Sequence, residues 1–262
     1  MKSYIEIMKK SFVNNMAFRA NYFFGLLNTI ILIFVNISIW KALYGGHTEM
    51  NGISFSMVVT NFVIGLSFSS ALSVNDFMIA SKVHGGDIAT DLLKPLNINA
   101  TMMFQTLGNN LFRLIAYFVP SLLISLIFFK VLPPASASVL IFVVITVILG
   151  FLILYNISYI ISVLSFWFVN IWSFSTIKNV FVNVLSGTML PLWFMPGWVN
   201  NIIKYTPFDV IYFAPIKIYL GQMTMNDIAF VIVKQCAWII ILFVFGQILW
   251  SRGIKKLVIA GG

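Results

Sequence analysis

The sequence predicts an all-α integral membrane protein with about six transmembrane helices. The chain has 262 residues, of which 60% are hydrophobic and 9% are charged, whereas soluble domains are about one-quarter charged. Apolar runs of about 20 residues, long enough to cross a bilayer as helices, recur along the sequence. We therefore expect residues 1–262 to form a single transmembrane domain without a separate soluble domain.

The charge distribution supports this class. The formal net charge is +9, but the lysines and arginines are dispersed among apolar segments and do not form one face with interleaved aromatic residues. Such dispersion is typical of membrane topology signals and argues against a nucleic-acid partner. Cys236 is the single cysteine, so no intrachain disulfide is expected.

The first 20 residues predict an amphipathic helix that lies in the plane of the membrane interface. Its apolar residues recur at helical spacing, while charged and polar residues occupy much of the remaining surface. The apolar positions are Ile5, Met8, Phe12 and Met16.

The predicted spans follow this helix in order. They cover about residues 22–43, 54–75, 107–129, 138–166, 177–192 and 228–249. Arg113 near the start of the third span is expected to reach the headgroups with its guanidinium, and Pro120 is expected to kink that span. A stripe of small polar residues predicts helix packing on the fourth span, at Ser158, Ser162 and Ser165.

The segment between spans five and six has an intermediate character. Residues 193–225 contain prolines and polar residues that disfavour crossing the membrane, yet they are too apolar for a solvated loop. This composition predicts short re-entrant or interfacial helices.

The orientation follows from the positive charges. With six spans, one side holds both termini, the central loop and the turn between spans four and five. Its eleven basic residues are Lys2, Lys9, Lys10, Arg19, Lys82, Lys94, Arg113, Lys178, Arg252, Lys255 and Lys256, against five opposite, Lys41, Lys130, Lys204, Lys217 and Lys234. Because cytoplasmic loops are enriched in lysine and arginine, both termini are predicted to be cytoplasmic. The re-entrant helices are then extracellular.

The central loop, residues 76–97, is the longest polar segment in the interior of the sequence. Gly85 and Gly86 permit a tight turn, and Asp87 is a good N-cap for a short helix over residues 88–93 that Pro95 ends. Asp87 and Asp91 are predicted to share a wet side of this helix, and Ile88, Leu92 and Leu93 an apolar side. The apolar side requires a surface to contact, which is either the lipid or a socket on a soluble partner.

Two predicted spans carry polar or small residues along one helical face. Span two has Asn61, Gly65, Ser69 and Ser73 at four-residue spacing, and span five has Thr176, Asn179, Asn183 and Ser186. Such groups lack hydrogen-bond partners in lipid, so they are expected to face protein or water. Ordinary hydrogen bonding between helices is an alternative explanation of both faces, beside a dimer seam or a transport path.

Three segments together resemble one family. The central segment Lys82-Val-His-Gly-Gly-Asp87 with Asp91-Leu-Leu-Lys-Pro95-Leu resembles the loop of permease subunits of bacterial type-2 ABC exporters. The segments Met16-Ala-Phe-Arg19-Ala and Trp250-Ser-Arg-Gly253-Ile-Lys-Lys agree with the same family. The resemblance covers essentially the whole chain.

This resemblance implies a permease domain over residues 1–262 in the bacterial plasma membrane. Residues 76–97 would be the cytosolic coupling loop that docks on a separate ATPase, present in two copies that bind ATP and Mg²⁺. The coupling residues would be Gly85, Gly86, Asp87, Ile88, Asp91, Leu92, Leu93, Lys94 and Pro95. The N-terminal helix would either touch the ATPase or serve only as an anchor on anionic lipid.

The resemblance also implies pairing with a second permease, which is a copy of this chain or a paralogue. Spans two and five would lie at the midline of the pair, and the residues 193–225 would form an extracellular hairpin that dips into the membrane. The residues of the translocation path or dimer seam would be Asn61, Gly65, Ser69, Ser73, Asn179, Asn183 and Ser186.

The remaining motifs narrow the function further. No GxxxxGK[ST] motif is present, so this chain is not expected to bind or hydrolyse ATP itself. No HExxH motif or pair of cysteines predicts a metal site. All seven acidic residues fall in predicted loops or at span boundaries, whereas ion-driven transporters usually keep an ionisable group near the midplane.

The expected function is therefore the permease subunit of an ATP-driven exporter and not an enzyme. The main alternative is a membrane-embedded enzyme acting on lipid-linked substrates. A passive structural or assembly subunit is a third interpretation.

Overall fold

The structure, a computed structural model, describes residues 1–17 and 19–256, with the backbone alone for Arg19 and Ala20. Phe18, which the sequence assigns to the N-terminal helix and to one of the family segments, lies outside the described residues. The helices are α1 Lys2–Met16, α2 Arg19–Tyr44, α3 Phe55–Ala71, α4 Met78–His84, α5 Asp87–Leu92, α6 Ile98–Arg113, α7 Val119–Phe128, α8 Val139–Val163, α9 Trp172–Leu185, α10 Gly197–Ile203, α11 Phe213–Tyr219 and α12 Met225–Ile254.

The other regular elements are short. A π-helical turn, Leu114–Phe118, joins α6 to α7, and 3-10 turns occur at Leu164–Phe166 and Leu192–Phe194. Two-residue strands β1 Glu49–Met50 and β2 Ile53–Ser54 form a hairpin. Its turn residues Asn51 and Gly52 both have positive φ, as two-residue hairpin turns require. This hairpin is the one departure from the predicted all-α class in the part of the chain described.

Four helical stretches of the described residues are long and apolar enough to cross a membrane. They are Asn21–Tyr44, Ile98–Phe128, Val139–Phe166 and Met225–Ile254. They confirm an all-α membrane protein and coincide with the first, third, fourth and sixth predicted spans. Large apolar side chains cover their outer surfaces, for example Phe23, Phe24 and Phe34 on α2, which is the surface that lipid requires.

The second and fifth predicted spans are shorter than the sequence suggested. α3 has 17 residues and ends at Ala71, before the polar residues Ser73 and Asn75. α9 begins earlier than predicted, at Trp172, because the Asn170 side chain accepts a hydrogen bond from the Trp172 backbone N–H. It ends after 14 residues at Leu185. At about 1.5 Å per residue, α9 is shorter than the roughly 30 Å hydrocarbon core.

The helix of the third predicted span begins at Ile98 and not near residue 107. Its N-terminal part packs against α1, where a side chain at Gly108 would overlap the Met8 carbonyl oxygen. Tyr4 stacks on Phe104 with ring centroids 5.4 Å apart. Thus α1 is fixed along α6 by protein contacts.

Arg113 lies in the interior of this continuous helix, in contrast to its predicted place near the start of a span. It is the last residue of α6, directly before the π-helical turn. Val119 separates the turn from Pro120, which lacks a backbone N–H and whose ring clashes with the preceding turn of a regular α-helix. The irregularity that the sequence predicted at Pro120 is therefore a π-helical turn.

The loops gather at two opposite ends of the bundle. At one end the Leu132 N–H donates to Thr60 Oγ1 at 2.9 Å, and the Ala135 N–H donates to the Tyr219 carbonyl at 3.0 Å. At the other end the central loop meets the end of α8, where the Ile79 N–H donates to Ser162 Oγ at 2.7 Å.

The segment from α10 to α11 folds back into the bundle at the end opposite the central loop. Val210, Ile211 and Ile216 are buried, and a Cβ at Gly150 of α8 would lie 2.6 Å from the Ile211 carbonyl oxygen. Gln235 of α12 fixes the segment by donating from Nε2 to the Val210 carbonyl at 2.8 Å.

Candidate functional site

The central loop consists of two short helices, α4 and α5, where the sequence predicted one. Gly86 joins them with φ +79°, a conformation that favours glycine. Gly86 is also the N-cap of α5, and Asp87 is its first helical residue, so the predicted N-cap is displaced by one position. The Asp87 carboxylate lies in the first turn, where the positive end of the helix dipole favours it.

Asp91 holds α4 and α5 together through two lysines. Its carboxylate pairs with Lys82 of α4 and, at 2.7 Å, with Lys94 after α5. The Asp91 side chain is 14% exposed, so it does not share the wet side of α5 with the exposed Asp87. Partial burial opposes ionisation, but the hydrogen bonds from the two lysines outweigh it and lower the pKa of the Asp91 carboxyl.

The apolar residues of α5 and its C-terminus are partly buried in the chain and partly exposed. Ile88 is buried within the chain, whereas Leu92 is 41% and Leu93 is 87% exposed. Pro95 follows, also exposed. The loop therefore exposes two leucines, while contacts within the chain hold the helix that carries them.

A buried ion pair attaches this loop to α9. Lys178 Nζ lies 2.7 Å from Asp76 Oδ1, and their side chains are 7% and 4% exposed. The Ser175 hydroxyl donates to the same carboxylate, and Lys178 also donates to Ser158 Oγ at 3.2 Å. Asp76 at the base of the central loop is thus linked to α9, and through Lys178 to α8.

The sequence did not identify this pair. The sequence pattern places Asp76 in a loop and Lys178 among the topology charges on the same side. Opposite charges beside apolar spans on one side are candidates for pairing, because a single buried charge is costly. The fourth-span serines contribute more than packing, since Ser158 accepts from Lys178 and Ser162 from the Ile79 N–H.

The polar face of α9 points away from the chain over most of its length. Thr176, Asn179 and Asn183 are exposed, whereas Ser175 and Lys178 on the adjacent face are buried. Ser186 is buried just after the helix and lies 3.4 Å, Oγ to Oγ1, from Thr188. Apolar residues such as Val180 and Phe181 flank the exposed amides.

The small and polar face of α3 is occupied by this chain itself. Asn61 is fully buried, and its Nδ2 donates to the Gly187 carbonyl at 3.0 Å. Gly65 adjoins Ile216 of α11 and Thr188, and the Tyr212 hydroxyl donates to the carbonyl of Leu72 at the end of α3 at 3.5 Å. Ser73 lies beyond the end of α3. This face joins α3 to the turn after α9 and to the α10–α11 segment.

The long apolar helices and lipid-facing surfaces define a multi-pass α-helical membrane protein. The family model described as ABC-2 family transporter protein matches residues 30–261, and the chain belongs to that family. The match confirms the resemblance to type-2 ABC permeases. No curated protein matches the chain.

Proposed function

We propose that the chain is the membrane-spanning permease subunit of an ABC exporter, coupled through residues 76–97 to a separate ATPase. Membership of the ABC-2 transporter family supports a transport subunit over an enzyme. The observation that carries the coupling role is the central loop itself, which presents Leu93 outward while ion pairs fix it to the bundle. ATP and Mg²⁺ would be bound by two copies of the partner ATPase.

The contacts provide a continuous route from the loop to the bundle. A displacement of α5 reaches α4 through Asp91 and Lys82. From α4 it reaches α8 through Ile79 and Ser162. Asp76, two residues before α4, transmits it to α9 through Lys178. An ATPase that grips Leu93 would therefore move α9 together with the loop.

The exposed polar face of α9 supports a permease pair. Asn179 and Asn183 are surrounded by apolar side chains on the outside of the chain, and amides in lipid lack hydrogen-bond partners. A second permease, or a water-filled path between two permeases, would satisfy them. We therefore assign the contact or path between the two permeases to α9. Asn61 and Gly65 of α3 support α9 from within the chain.

The excess of basic residues on the central-loop side supports cytoplasmic termini and a cytoplasmic coupling loop in a bacterial plasma membrane. The α10–α11 segment would then lie at the extracellular end.

Purification of the tagged chain from its native membranes, followed by mass determination of the intact complex, tests this proposal. We expect two permeases and two P-loop ATPases. Leu93→Asp should lose the ATPase, because one buried leucine contributes about 1.5–3 kcal/mol and a buried charge opposes docking further. Val169→Asp is the matched control, since Val169 is equally exposed, at 87%, on the same end.

A wild-type chain that purifies without any P-loop ATPase would contradict the proposed function. Loss of the ATPase from both variants alike would remove the specific role of Leu93.

A further inference from the structure

A cavity of about 340 Å³ lies between the α10–α11 segment and the start of α12, at the end opposite the central loop. Lys204 and Lys217 line it, together with Asp209 and the apolar side chains of Phe213 and Val231. It therefore combines two ammonium groups with apolar walls.

The charges around this cavity leave a positive excess. Lys234 Nζ lies 2.6 Å from Asp209 Oδ1 and neutralises the one carboxylate in the lining. Lys204 and Lys217 make no ion pair with any described residue. Asp227, which interacts electrostatically with Lys217, already accepts hydrogen bonds from the Thr224 backbone and hydroxyl at 2.9 and 2.7 Å.

The surface beside the cavity has the composition of a membrane–water boundary. On and just after α10, Trp198 is 70% and Tyr205 is 84% exposed, and Ile202 lies between them in the sequence. Exposed tryptophan and tyrosine next to lysine are typical of residues at headgroup level. A ligand that reaches the cavity from this surface would come from the lipid interface.

We propose that this cavity binds the phosphate headgroup of an anionic membrane lipid. Lys204 and Lys217 form charge-assisted hydrogen bonds with the phosphate oxygens. The apolar walls at Phe213 and Val231 contact the glycerol backbone and the first methylenes of the acyl chains. A free phosphate would leave these walls without a partner, so the lining favours an amphiphile. The assignment does not depend on coupling to an ATPase.

Native mass spectrometry of the purified full chain in detergent tests the site, with dioleoyl phosphatidic acid as the probe. Dioleoylglycerol, which lacks the phosphate, and inorganic phosphate, which lacks the chains, are the two comparison ligands. The test variant is Lys204→Gln with Lys217→Gln. The control is Lys130→Gln, which removes an exposed lysine at the same end, outside the cavity lining.

We expect phosphatidic acid to bind the wild-type chain and the Lys130→Gln control equally. The double variant should bind it about tenfold more weakly, because hydrogen bonds to charged groups each contribute appreciably to affinity. Should the double variant fail to fold, Lys204→Gln alone provides the test, since Lys204 is exposed. Equal binding of dioleoylglycerol, displacement of the lipid by an equal concentration of inorganic phosphate, or unchanged binding by the variants would each overturn the assignment.

Discussion

The two ends of the molecule each carry a pair of short helices, and they are held in different ways. At one end α4 and α5 bury Ile79 and Ile88, and ion pairs around Asp91 and Asp76 join the two helices to each other and to α9. At the other end the α10–α11 segment is packed into the bundle, with Ile211 and Ile216 almost fully buried.

This difference shows how each end can work. The inner side of the central loop is held by the buried Ile79 and Ile88 and by ion pairs, whereas Leu92 and Leu93 on its outer side are exposed. Apolar burial requires many contacts on all sides, so a buried segment moves only with its neighbours. We infer that the central loop is suited to binding a partner, and that the α10–α11 segment is suited to forming the wall of a cavity.

The ion pairs of the two ends also differ in how deeply they are buried. Asp76 and Lys178 are 4% and 7% exposed, whereas Asp209 and Lys234 are 23% and 11% exposed. Removing one partner of a buried pair costs about 3–5 kcal/mol, and removing one partner of an exposed pair costs about 1 kcal/mol or less. The comparison therefore predicts unequal losses from equivalent substitutions.

The largest effect is expected from Lys178→Met. It leaves the buried Asp76 carboxylate without its partner and should lower the free energy of unfolding by about 3–5 kcal/mol. Thermal unfolding of the purified chain in detergent measures the loss. The matched substitution at the other end, Lys234→Met, should cost less, because Asp209 is partly exposed.

Lys178→Met combined with Asp76→Leu supplies the control, since replacing both members of a buried pair by apolar residues is often close to neutral. Equal losses for Lys178→Met and Lys234→Met would show that burial does not distinguish the two pairs.

A smaller effect is expected from Gly150→Ala, which tests the close packing of the α10–α11 segment. The new Cβ would lie 2.6 Å from the Ile211 carbonyl oxygen, so backbone must shift, at a cost of about 1–3 kcal/mol. Gly65→Ala is the control, because its Cβ would be 3.4 Å from the nearest atom, the Ile216 side chain. An equal decrease in melting temperature for both variants would argue against a tight fit at Gly150.

The sequence predicted the long apolar helices well, because length and hydropathy are local properties that the bilayer selects. The central loop and the N-terminal helix were also recognisable from spacing and turn residues. The bounds of three helices were not: α3 ends at Ala71, α6 begins at Ile98, and α9 ends at Leu185 just before the turn at Gly187.

The site was less predictable because its main contacts join distant residues. Asp76 and Lys178 are 102 residues apart in the sequence, and no periodicity indicates which charges meet. A polar stripe also does not reveal its own direction. The stripe of α3 faces the chain, whereas most of the α9 stripe faces outward, although both have similar sequence patterns.

The smallest effect concerns the Asp91 clamp and its pH dependence. The pKa of Asp91 is lowered in the folded chain. The stabilisation that its ion pairs give to α5 is therefore fully present above the unfolded-state pKa of about 3.9, and it is lost as pH falls through the folded-state pKa. We therefore expect no loosening of α5 between about pH 6 and 8. Hydrogen–deuterium exchange of residues 87–93, corrected for intrinsic rates, measures this.

Asp91→Asn should reproduce the loosened state at neutral pH, because the amide cannot pair with Lys82 and Lys94 as a charge. Lys94 is 59% exposed, so water screens the pair and the effect should stay below about 1 kcal/mol, or roughly a fivefold faster exchange. Asp87→Asn is the control on the same helix, since Asp87 is exposed and has no ion pair with a described residue. Faster exchange from Asp87→Asn than from Asp91→Asn would mean that the helix dipole, and not the lysine clamp, holds α5 in place.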